Sequence, residues 1–98
     1  MAFRKRFIHP DIFSDWELTE LGNKGVLTFI GIICCADDLG NLKYCTKTIW
    51  AKTFPHSKDT TVENVEAAVK GLLATGQLKE YEYEGQNYLH INRFHKYQ

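Results

Sequence analysis

Proline is scarce in this chain, and the marks of an enzyme, a metalloprotein or a membrane protein are missing. Only Pro10 and Pro55 interrupt the backbone, so turns must come from glycine, asparagine and aspartate. No apolar run exceeds the eleven residues 26–36, whereas a membrane span needs about 20; that run reads as a buried helix, and no membrane partner is expected. Neither sign of charge is in excess, since the formal net charge is zero. Nucleic-acid-binding domains are usually basic, so any basic surface here has to come from uneven distribution. The cysteines are Cys34, Cys35 and Cys45. They form no Cys-x-x-Cys, and no two histidines stand at i, i+4, so neither a metal site nor a cofactor site is read. Cys34 and Cys35 read as small core residues. The odd count, with no signal-like start, suggests an intracellular protein with reduced thiols. A nucleophile elbow, a phosphate loop and a carboxylate pair are all absent. The chain is therefore read as non-enzymatic, with no catalytic residues.

What is present is an ordinary globular composition. Apolar residues make up 44% and aromatics 13% of 98 residues, enough for one domain with a modest core. His9 before Pro10 disfavours helix, so the chain is expected to enter extended. Ser14 or Asp15 then caps a short helix that offers Trp16, Leu18 and Leu21 for burial. Gly22 and Asn23 break it, and Asn23 caps a second helix over residues 24–36. Its apolar residues lie nearly all round, which predicts a central helix or one that also meets a partner. The segment "ADDLGN" is a turn and "NLKYC" a short strand. Thr46 caps a third helix that Pro55 ends. A fourth helix, capped by Thr60 or Thr61, buries Val62, Val65, Val69, Leu72 and Leu73 and stops at Gly76. Two strands follow, joined by a Glu84-Gly85 turn whose register sets Tyr81 opposite Tyr88 and Leu78 opposite Ile91.

This order predicts a mainly α fold with a small β component: a winged helix-turn-helix with an extra N-terminal helix and a C-terminal β-hairpin wing. The third helix opens the motif, residues 61–75 take the recognition position, and residues 77–91 form the wing. The whole chain, 1–98, is read as a single winged-helix domain. It divides into an arm and short helix (1–22), a core (23–91), and a tail or linker start (92–98).

Five segments, "IHPDIF", "ADDLGNL", "FP", "GLLATGQL" and "YEGQNYLHINRFHKYQ", occur in an order and spacing that carry a family likeness. Over nearly its whole length the chain resembles the N-terminal winged-helix domain of phage replisome-organiser and DnaD-type replication-initiation proteins. The resemblance implies a role in loading the replication machinery onto phage or plasmid DNA, in a bacterial or phage-infected cytoplasm. It also implies self-association and a helicase or its loader as partner. In the family a linker and a second helical domain often follow, which implies that this chain is a fragment or a shortened member.

The fourth helix is a poor reader of bases. Its solvent side carries Glu63 and Glu66, whose charge opposes phosphate, and Glu66 and Lys70 form an i, i+4 pair on a solvated face. Cations gather elsewhere: Arg4, Lys5 and Arg6 at the start, then Lys43, Lys47, Lys52 and Lys58, with Arg93, His95 and Lys96 in the tail. The candidate DNA-binding set is Lys43, Lys47, Lys52, Lys58, Lys70, Arg93, His95 and Lys96; the alternative is ordinary solubilising charge. The hairpin tyrosines either stack on exposed bases or lock the hairpin across its strands. Phe94 is expected to anchor an extended tail. Phe3, Phe7, Ile8, Ile12, Phe13 and Trp16 outnumber what one short helix can bury, and form the candidate self-association surface for a dimer or higher oligomer. The leading reading is a replication-initiation module binding single- or double-stranded DNA with low sequence specificity. The alternatives are a winged helix that recruits a replisome protein without DNA, and a transcriptional regulator.

Overall fold

In the computed structural model, residues 3–97 are described, with Lys96 and Tyr97 described by their backbone alone. After the arm, Pro10–Phe13 forms a 3-10 turn that His9 caps by accepting from the Asp11 N–H. The turn points Ile12 inward and leaves Phe13 outside. Helix α1 (Trp16–Thr19) follows, its first N–H groups bonded by the Asp15 carboxylate. Helix α2 (Gly22–Cys35) starts directly behind it. Leu21 sits at the cap position without a side-chain bond, so Asn23 is not the cap. The two helices run almost end to end and leave no extended residue there to cap.

Strand β1 (Asn41–Lys43) leads into α3 (Thr46–Thr53) and then α4 (Val62–Ala74). Cys45, not Thr46, holds the N-cap position of α3. Thr61, not Thr60, caps α4, in a reciprocal capping box with Asn64. Strands β2 (Leu78–Tyr83) and β3 (Gln86–Ile91) close a hairpin with Tyr81 opposite Tyr88 and Leu78 opposite Ile91. Both turn residues take positive φ, Glu84 at 51° and Gly85 at 76°. That pattern matches the right-handed twist of the flanking strands. Strand β1 adds to the other edge of β3, giving an antiparallel sheet of order β1-β3-β2. The tail does not stay extended, because Phe94–Tyr97 forms a last helical turn, α5.

The fold is thus α+β, with four main helices and one three-stranded antiparallel sheet among the described residues. Helix α2 is its axis and packs on α1, α3 and α4. Phe29, Ile32 and Ile33 of α2 are fully buried with Val65, Val69 and Leu72 of α4. Each is worth about 1.5–3 kcal/mol relative to exposure. Leu42, Leu78, Leu89 and Ile91 carry the core onto one face of the sheet. Ile30 of α2 is only half-buried and Leu27 is exposed, so α2 keeps an apolar flank in solvent. No described helix is long and apolar enough to cross a membrane.

Candidate nucleic-acid interface

Helix α3 and the residue pair before it are fastened to α4 and its preceding loop at three points. Trp50 donates its indole N–H to the Thr60 carbonyl at 2.8 Å. Thr46 Oγ donates to Glu66 at 2.8 Å, and the Tyr44 hydroxyl donates to the other carboxylate oxygen at 3.4 Å. Glu66 therefore turns toward β1 and α3 instead of pairing with Lys70 as expected; hydroxyl donors close by outcompete an exposed ammonium held only in water. Burial, then the Glu66 charge, pushes the Tyr44 phenol up and keeps it a donor. The loop before α4 is held as well. Lys24 of α2 donates to the Asp59 carbonyl at 3.0 Å and lies 3.5 Å from the Asn64 side-chain oxygen.

Around this frame, Lys43, Lys47, Lys52, Lys58, Lys70, Arg93 and His95 are all exposed. The side chain of Lys96 lies outside the described residues. The cations are carried by several elements. Lys43 lies on β1 directly opposite Tyr88. Lys47 opens α3 beside Cys45, whose thiol its charge helps to lower. Lys52 is on the α2 side, where its charge acts on Cys35. Arg93 and His95 lie beyond Ile91, the end of β3 away from the Glu84-Gly85 turn. Arg6 is committed to structure, bonding Asp38 and the Ala36 carbonyl at 3.1 and 2.8 Å.

The outer face of the sheet is aromatic. Tyr81 and Tyr88 stack with ring centroids 5.5 Å apart and planes at 17°. The Tyr81 hydroxyl reaches across β3 and donates to the Asn41 side-chain oxygen at 3.0 Å. That oxygen also lies 2.9 Å from His90 Nδ1, which must then carry a proton. Burial, Asp37 and Tyr88 together push the Tyr81 phenol up. An open cavity of about 400 Å³ lies here, lined by Asp37, Asn41, Leu42, Tyr81, Tyr83 and Tyr88. No family model, no curated protein and no solved structure matches the chain.

Two participants escaped the sequence reading. Lys79 stands opposite His90 on this same face, and its position two residues before Tyr81 could have placed it there by strand alternation. Asn41 had no signal of its own, because its role depends on β1 pairing with β3.

A second surface gathers the arm and α2. Phe7 is 90% exposed, Phe13 and Trp16 66% each, and Leu27 50%. Phe13, Val26, Leu27 and Ile30 line one open groove. Phe3 is also exposed and Ile8 half-buried. Ile12 differs: it is fully buried in the core of its own chain, so it is placed there and not with the exposed aromatics. Trp16, offered for burial in α1 and also counted in the self-association set, faces solvent.

Proposed function

We propose that this chain is a winged helix-turn-helix module of the phage replisome-organiser and DnaD type, which self-associates and binds DNA with little sequence specificity. The observation that carries the reading is the order α2-β1-α3-α4-β2-β3 with β1 laid on the free edge of the hairpin. In that reading α4 holds the recognition position and β2–β3 is the wing. Glu63 is exposed at the start of α4, and the open flank of α4 adds only Ala67, Lys70 and Ala74. Such a face neither reads base edges nor attracts phosphate. Lys43, Lys47 and Lys58, around β1, α3 and the loop, supply sequence-independent phosphate contacts instead. The exposed aromatics of the arm supply the self-association surface, and a helicase or its loader is the partner class. The module would work in the cytoplasm of a bacterium or a phage-infected host.

The exposed apolar surface of Phe7, Phe13, Trp16 and Leu27 favours one second reading. In it, the winged helix has given up DNA and recruits a replisome protein. A salt titration of binding to single-stranded, duplex and unrelated DNA, run beside a solution mass measurement, separates the two. The proposed function expects similar affinities for all sequences and a clear salt dependence. Absence of DNA binding at low salt would leave the recruitment reading.

A further inference from the structure

We infer that the outer face of the sheet seats one unpaired base of single-stranded DNA, stacked on the tyrosines of the wing, with Lys43 and Lys79 on the flanking phosphates. This deepens the DNA-binding reading above and rests on it. Three observations carry it. The first is the aromatic platform: the Tyr81 and Tyr88 rings are stacked, and Tyr83 extends the same face while remaining 61% exposed. A cross-strand lock needs only the first two rings. An exposed third tyrosine beside an open cavity offers a π-face with no partner of its own, and every base has a face to meet it.

The second is preorganisation. The Asn41 oxygen holds both the Tyr81 hydroxyl and His90 Nδ1. The platform is therefore fixed before a ligand arrives, which lowers the ordering cost of binding. The cavity, at about 400 Å³, falls within the ~300–1,000 Å³ of small-molecule sites. Its wall supplies one donor and one acceptor. The Asn41 amide N–H groups have no partner among the described residues. One oxygen of Asp37 takes the Leu39 and Asn41 backbone N–H groups, and the other is left open. Every base carries both a donor and an acceptor on its pairing edge, so this wall tolerates all of them.

The third is charge placement. Lys43 is opposite Tyr88, and Lys79 is opposite His90 one row away. The cations thus stand on the two edge strands, on either side of the aromatic centre. A strand crossing the sheet would meet one phosphate contact before the base and one after. Paired DNA buries its base faces in its own stack and cannot use this surface.

The test uses the full chain at low salt with four labelled probes of about twelve nucleotides, within the site sizes known for sheet-based binders. They are a single DNA strand, the same strand with abasic sugars, a DNA duplex and an RNA strand. The base-bearing DNA strand should bind about 5- to 150-fold more tightly than the abasic one, the gain from one stacked base. Tyr83→Ala and Tyr88→Leu, each checked for an unchanged fold by circular dichroism, should shrink that ratio toward one. The Lys43→Ala, Lys79→Ala pair should lower the salt slope by about 1.4, at ~0.7 per phosphate on single strands. Equal binding of abasic and base-bearing strands, or folded tyrosine variants that keep the full ratio, overturns the inference while the DNA-binding reading stands. So does duplex bound in preference to single strand. Tighter RNA binding overturns the assignment to DNA. If no probe binds, both readings fall together.

Discussion

The guanidinium of Arg6 lies over the ring of Phe94, its carbon 5.2 Å from the ring centroid. This contact joins the N-terminal arm to the first residue of the C-terminal turn. The same guanidinium reaches the Ala36 carbonyl just past α2 and the Asp38 carboxylate in the following turn. Only 11% of the Arg6 side chain is exposed, so one residue ties three remote segments in a largely dry setting.

Arg6→Ala should therefore destabilise the chain by about 1–3 kcal/mol, from a lost charge-assisted bond and a lost cation–π contact. For a domain of this size that corresponds to a fall in Tm of roughly 5–20 °C. Arg6→Lys should recover only part, because an ammonium cannot serve two acceptors while lying flat on a ring. Calorimetry of the three proteins checks this, and equal Tm values would show that the arm is held by other contacts.

Gly31 faces Thr53 where α2 crosses α3. A Cβ there would collide with the Thr53 hydroxyl and stand 2.7 Å from its methyl carbon. Gly31→Ala should cost about 1–3 kcal/mol as overpacking, although alanine is the better helix former by up to ~1 kcal/mol. The Thr53 hydroxyl has no bonding partner in the structure, so Thr53→Ala gives up little. The double variant should recover most of the loss. A double-mutant cycle by urea unfolding reads the coupling, and additive effects would contradict the close approach.

Cys45 should be the thiol that alkylates first. It is exposed, and its bond with Thr48, helped by N–H groups of the first turn of α3, holds its pKa below the ordinary value. Burial raises Cys34, and burial with its neighbour Cys34 raises Cys35 to about 11. A lowered pKa means the thiolate, the reactive form, persists to lower pH. The rate for Cys45 should therefore reach its midpoint below that of a free thiol, and Thr48→Ala should move that midpoint up. Iodoacetamide labelling against pH, read by peptide mass, decides it.

Self-association should depend on Phe13 and Leu27. Replacing both with glutamate should give a monomeric mass at concentrations where the parent associates, with Tm nearly unchanged, since both side chains are exposed. Trp16 fluorescence should shift to the blue as the parent is concentrated and stay constant in the variant. A parent that remains monomeric at high micromolar concentration would remove the interface.

Glu84 carries a left-handed backbone at φ 51° ahead of Gly85. Glu84→Asn supplies the residue best suited to that position and should stabilise the hairpin by about 0.5–1 kcal/mol. Thermal melts give the sign directly.

Local chemistry determined a good part of this protein. The Glu84-Gly85 turn and strict alternation set the hairpin register to the residue, because turn type and side-chain parity are short-range properties. The apolar spacing of α4 and its stop at Gly76 were legible for the same reason. So were the central position of α2, from its all-round apolarity, and the burial of Phe94. Tertiary structure decided the rest. Ile12 and Phe13 are adjacent and both apolar, yet the turn after Pro10 puts one in the core and the other in water; composition cannot distinguish them because exposure depends on which face the neighbouring helices cover. Helical periodicity puts Glu66 on a solvated face, but it bonds Tyr44 and Thr46 from a segment twenty residues away in the chain. Asn41 holds Tyr81 and His90 only because β1 pairs with β3. That pairing spans more than forty residues and its register is written in no local motif; the tyrosine face itself follows from hairpin alternation, and only its bond to Asn41 and its neighbour Lys43 wait for β1.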